Sequence, residues 1–168
     1  ALHEPYPAMK SDYATDSTDD NQLHQIRFQK VKRVQVLRAA CNLDFYLETN
    51  HQFLKNFSGP AIDYFGSRLR VIHLRRDPVS VASSFYAIGS IPGKTELGSL
   101  YLIDPHRSDN VLPIGDVLDK DPLFSDDLYR CLWYWYEMEA RVVRLLETYP
   151  EISLMHLATD DLNQPDRV

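Results

Sequence analysis

The sequence predicts an α/β protein, a parallel β-sheet with helices on both faces, formed as a single domain over residues 1–168. Three observations lead there. Short runs read as strands at LDFYLET (43–49), RLRVIHL (68–74) and ISLMHLA (152–158), and helical patterns separate them. Strands alternating with helices need crossover connections, which make the sheet parallel and place helices on its faces. The length of 168 residues and a hydrophobic content of 44% are enough to bury a core of that kind.

Each element has its own reason. Residues 10–21 are polar and acidic and read as a loop ending in a helix cap near Asp19 or Asp20. A helix follows from Leu23 to Ala40, with Leu23, Ile26, Val34 and Leu37 at helical spacing. Its Arg27, Lys30, Lys32, Arg33 and Arg38 read as a solvated basic face. The aromatic alternation of 43–49 reads as the first strand, and NHQFLKNF (50–57) as a turn into a short helix that Ser58-Gly59-Pro60 breaks. The second strand, 68–74, hands over to a helix at Asp77, a good N-cap, and Pro78, which suits the first helical turn. Residues 89–125 carry Gly, Pro, Asp and Ser without a period and read as one long loop. The longest helix is expected over Asp126–Tyr149, its core stripe formed by Leu128, Leu132, Trp135, Met138, Val142, Leu145 and Tyr149. Trp133 and Trp135 are read as core residues.

Composition removes several function classes. The net charge is -6, so the surface as a whole is not a nucleic-acid footprint, and any anion site must be local. No run of eighteen apolar residues occurs and no signal peptide is visible. Cys41 and Cys131 have no metal-ligand spacing and read as buried free thiols, which suits a reducing compartment and a cytoplasmic expectation. No metal is expected. The chain opens on Ala1 without methionine and stops at Val168, which reads as a piece of a longer chain lacking its N-terminal part.

The chemistry concentrates where the second strand meets its helix. In parallel sheets ligands bind off the carboxyl ends of strands, and that end here is Arg75-Arg76. An arginine there offers a fork of donors to an oxyanion, and the following helix adds partial positive charge and serine hydroxyls. Ser80 and Ser84 lie four apart on one face of that helix. A plainer reading stays open beside this one, with an arginine paired to Asp77 and a serine bonded back to its own helix.

VIHLRRDPVSVASSFY (71–86) resembles the 3′-phosphate-binding segment of the sulfotransferase family, in which a strand ends in Arg-(Asn/Asp)-Pro and a serine follows eight residues after the arginine. The resemblance implies a fold of the P-loop nucleoside triphosphate hydrolase-like sulfotransferase type. It also implies that Arg76 and Ser84 hold the 3′-phosphate of 3′-phosphoadenosine 5′-phosphosulfate (PAPS), the sulfuryl donor. LHEPYPA (2–8) is similar to a segment whose glutamate is the catalytic base in some members, which points to Glu4. LETNHQFLKNF (47–57) resembles the segment carrying a catalytic histidine in others, which points to His51, with Glu48 a third candidate. MHLATDDLNQP (155–165) resembles the family's Tyr-Glu-Asp-Leu strand and loop but has Thr159 where a tyrosine often meets adenine. The family's phosphosulfate loop has no counterpart in these residues and is expected upstream of Ala1. Gly93-Lys94-Thr95 follows a helix rather than a strand and lacks the upstream glycine of a Walker loop. It belongs to 89–125, which is expected to shape the acceptor side. The implied reaction is sulfuryl transfer to a small-molecule or carbohydrate acceptor. A non-catalytic nucleotide- or partner-binding domain of the same fold, or a P-loop kinase relative, is the alternative.

Overall fold

Helix α1, Asp20–Cys41, opens the described part of the chain, which in this computed structural model is residues 20–163. The described chain divides into two units, one of residues 72–150 with 155–163, the other of 20–71 with 151–154. Glu4 lies outside the described residues.

In the second unit α1 buries Val31 and Val34. Val31 joins Phe57 and Ala61 in a core that Phe53, Tyr64, Phe65 and Leu69 close. A five-residue π-helical turn, Phe53–Phe57, leads into α2, Ser58–Phe65. Ser58-Gly59-Pro60 therefore starts a helix rather than ending one. Proline suits a first turn, where its missing N–H has no helical partner to lose. Three further expectations are corrected in this unit. Lys30 is buried and pairs with Glu48, and Arg38 is half-buried and donates to the carbonyls of Leu43 and Asp44, whereas Lys32 and Arg33 are exposed. Residues 43–49 form no strand. Leu43, Phe45 and Leu47 alternate as expected, but all three are exposed. Alternation makes a strand only where a neighbouring ladder accepts it, and no described strand pairs here. Cys41 is exposed at the end of α1, also against expectation.

The sheet among the described residues has two strands, β1 (Arg70–Arg75) and β2 (Ser153–Ala158). It is parallel: His73 meets His156, and Thr159 N–H donates to Arg75 C=O at 2.8 Å, so the register advances together along both strands. The mixed α/β class and the parallel pairing agree with the sequence reading. Alternation then divides the side chains. His73, Arg75 and His156 interact with one another or with α6, the Leu128–Thr148 helix, whereas Ile72, Leu74 and Met155 are exposed.

Between the strands run α3 (Pro78–Ala87), α4 (Glu96–Tyr101), α5 (Gly115–Lys120) and α6. α3 packs along α6, burying Ala82 and Cys131. Burial pushes the Cys131 thiol up to about 11, so it is an inert packing group.

Residues 89–125 are not one structureless loop. They contain α4, α5 and a 3₁₀ turn, Pro122–Phe124, and they bury Ile91, Leu102, Ile103 and Leu118. Three polar groups on α6 fasten them. Glu137, fully buried, accepts from Val111 N–H at 3.0 Å and Leu112 N–H at 2.7 Å. Arg141 donates to Glu137 at 2.6 Å and to Asn110 at 3.1 Å. Trp133 Nε1 donates to Leu112 C=O at 2.8 Å. The segment lacks a period because irregular backbone, with its amides satisfied by side chains, does the packing. Gly98 is obligatory within it, since a Cβ there would lie 1.9 Å from Ile91 O.

Candidate functional site

The strand-to-helix joint forms as the sequence implies. Pro78 occupies the first turn of α3, and Asp77 caps it, accepting from Ser80 N–H at 2.7 Å. That bond holds the Asp77 carboxyl below the usual range, with the nearby Arg76 charge assisting. Arg75 and Arg76 therefore emerge at the carboxyl end of β1 beside a capped helix start.

They emerge differently. Arg75 Nε pairs with Glu139 at 2.9 Å, and its guanidinium lies 5.9 Å from the Trp135 ring centroid. Arg76 is exposed, and its side chain has no hydrogen bond or ion pair among the described residues. Trp135 Nε1 donates to Arg76 C=O at 3.1 Å, which fixes the backbone from which Arg76 projects. Both arginines line a cavity of about 400 Å³. Asp77 and Pro78 form its helix side, Trp135 a wall, and His156 and Ala158 with Asp160 the β2 side.

Behind His156 stands a row of titratable groups. His73 Nδ1 lies 3.2 Å from His156 Nδ1, and His73 Nε2 lies 3.2 Å from Glu139, the carboxylate that also holds Arg75. Burial lowers the His73 pKa; Glu139 opposes that shift, while His156 and Arg75 add to it.

The other residues singled out in the sequence lie as follows. Ser84 is exposed two turns into α3 and is not among the residues lining the Arg76 cavity. His51 belongs to the second unit, its Nε2 2.7 Å from Gln52 Nε2. The Glu48 carboxylate accepts from Lys30, from Tyr46 and, at 2.6 Å, from Asn50. Burial and that carboxylate raise the Tyr46 pKa. A carboxylate so fully engaged holds its segment together. Lys94 pairs with Asp127 at 2.7 Å, and Thr95 caps α4. Gly93-Lys94-Thr95 is thus a helix start whose lysine pairs with Asp127.

Sequence reasoning missed the part Trp135 and His156 play. The spacing of Trp135 predicts a core residue, yet it stands half-buried as a cavity wall. One signal was available: His73 and His156 occupy corresponding places near the ends of two strands expected to be parallel, so register alone brings them together.

Family models, curated proteins and solved structures were compared with the chain, and none matches it. The resemblance of 71–86 to the sulfotransferase segment rests on those residues themselves.

Proposed function

We propose that the Arg76 cavity binds the 3′-phosphate of PAPS and that the protein acts in sulfuryl transfer to an acceptor hydroxyl. The observation that carries the reading is Arg76 itself: an exposed guanidinium without an ion pair among the described residues, at the carboxyl end of a parallel strand, in a cavity beside the start of α3. A guanidinium meets phosphate oxygens in pairs, and one not already spent on a carboxylate is available to do so. The fold of this reading is the sulfotransferase variant of the P-loop-like α/β class. The resemblance assigns the second phosphate contact to Ser84, which lies outside the residues lining the cavity.

In the reaction the acceptor oxygen attacks sulfur in line, the bond from sulfur to the bridging phosphate oxygen breaks, and adenosine 3′,5′-bisphosphate departs. The acceptor proton passes to a base, assigned to Glu4 with His51 second. The work asked of the protein is positioning and stabilisation of charge on the departing phosphate. Commitment of Lys94 to Asp127 favours the second reading, a bisphosphate-binding domain without turnover, over a P-loop kinase.

Calorimetry with adenosine 3′,5′-bisphosphate tests the site. Binding that Arg76→Ala weakens roughly 10- to 100-fold, the range expected for charge-assisted hydrogen bonds, supports it. Unchanged binding in Arg76→Ala refutes it. Turnover of PAPS with an acceptor panel then separates the enzyme from the binding domain.

A further inference from the structure

The Arg76 cavity contains a second group able to meet an anion, and it is wired differently from an arginine. His73 Nε2 faces the Glu139 carboxylate at 3.2 Å and so carries a proton there. The contact of 3.2 Å between the two Nδ1 atoms accommodates one hydrogen, so one ring donates and the other accepts. With the pair neutral, His73 Nδ1 is bare and His156 Nδ1–H donates to it. That leaves His156 Nε2 a bare acceptor. Add one proton, and whichever ring carries the charge, His156 Nε2 becomes an N–H donor. A second proton would set two N–H groups against each other. The pair therefore holds at most one extra proton, and that proton decides what His156 offers the cavity.

Charge around the cavity says which state a ligand selects. Arg75 and Arg76 are opposed by Glu139, Asp77 and Asp160, two positive against three negative, a balance of -1 with the histidines neutral. Among the described residues, a phosphate dianion entering such a cavity meets only Arg76 as an uncommitted cation. One proton on the histidine pair removes the deficit and supplies a second donor.

We propose that His156 is a phosphate-binding residue of this cavity, and that ligand binding draws one proton onto the His73–His156 pair. His73 is the positioning residue: its contact with Glu139 fixes which way the hydrogens run. Burial, with His156 and Arg75 adding to it against Glu139, keeps His73 below the ordinary histidine range, so in the free protein its ring favours the neutral form and the proton arrives with the anion. The inference rests on the reading of the cavity as a phosphate site, and the test separates the two.

Adenosine 3′,5′-bisphosphate is titrated into the full chain from pH 5.5 to 8.5 in buffers of differing ionisation enthalpy. Expected at pH 8 is uptake of close to one proton beyond that of His156→Gln, with affinity falling up to 10-fold per pH unit above the pair's pKa. His156→Gln should bind several-fold more weakly at pH 6 and lose that part of the slope. His156 is exposed, so the variant should fold. Nitrogen-15 spectra of the unmutated protein give an independent reading, with Nδ1–H on free His156 and protonated Nε2 in the complex. Binding that Arg76→Ala weakens as stated above, but with equal proton uptake in wild type and His156→Gln, overturns the inference and leaves the phosphate site standing. Absence of binding at every pH overturns both. A bare His156 Nε2 in the complex also overturns the inference.

Discussion

Arg141 and Arg76 belong to the same unit and use their charge in opposite ways. Arg141 is 4% exposed and bonded to Glu137, Asn110 and the backbone of Asp109. Burial alone would raise the Asp109 carboxyl, yet Arg107 and Arg141 outweigh it and hold the group in its charged form. Arg76 stands exposed on a cavity wall with only its backbone held. A charge that maintains a fold is saturated by partners already in the chain, because leaving it otherwise costs too much. A charge kept for a ligand is left with donors to spare. Arg75 falls between them, paired with Glu139 but stacked on the cavity wall.

The comparison breaks most visibly at Glu137. Glu137→Leu removes the acceptor for two loop amides and the nearer carboxylate of Arg141 at once, leaving that buried guanidinium only the 3.6 Å contact with Asp109 and its bond to Asn110. The expected cost is about 3–5 kcal/mol of stability, read by urea unfolding. Because Glu137 touches no part of the Arg76 cavity, bisphosphate affinity per folded molecule should stay within a factor of two. A loss below about 1 kcal/mol would show that the buried pair is replaceable by packing. Arg76→Ala is the mirror experiment. Stability should move by no more than about 0.5 kcal/mol, as for other surface changes, while bisphosphate binding suffers the loss stated above.

The contrast also marks how far the sequence could be read. β1, its handover to α3 through Asp77 and Pro78, and α6 followed from local chemistry, in which a cap, a ring and a helical period each act within a few residues. The strand expected at 43–49 failed because pairing depends on a neighbour that alternation cannot reveal. Burial of Glu137 and Arg141 was legible only as a Glu–Arg pair four apart, a pattern far commoner on solvated faces. Its buried place comes from the amides of Val111 and Leu112, which are 25 or more residues away. In the candidate site Arg76 was legible from the joint, but the cavity wall needed the register of β2 and the rotation of α6.

A smaller effect is expected at Thr95. Its hydroxyl accepts from Gly98 N–H at 3.1 Å and from Ile91 N–H at 3.0 Å, and donates to Gly89 C=O at 2.8 Å. Thr95→Val keeps the shape and loses the cap, so unfolding should come about 1–2 kcal/mol sooner. If Gly93-Lys94-Thr95 served a phosphate instead, the same variant would weaken bisphosphate binding and leave stability alone. That outcome would move the anion site away from Arg76.

The smallest expected effect separates the two histidine sites by the sign of their pH dependence. His106 places Nδ1 3.0 Å from Asp104 and Nε2 2.9 Å from Asp119, so both nitrogens are satisfied as donors only in the imidazolium. Burial alone would lower its pKa, but the two carboxylates outweigh burial and the net shift is upward. A group whose folded pKa is raised contributes stability fully below its unfolded value, about 6.5, and loses it as pH climbs through the folded value. His73 carries the opposite sign: its lowered pKa takes stability away as pH falls. Subtracting the His106→Gln unfolding curve from that of the parent between pH 5.5 and 8.5 isolates the first contribution. The difference should favour the parent at pH 6 and shrink by pH 8, by less than about 1 kcal/mol because the pair is exposed and screened by salt. A difference that grows with pH would mean that His106 is held neutral, and that Asp119 is occupied by Arg130 alone.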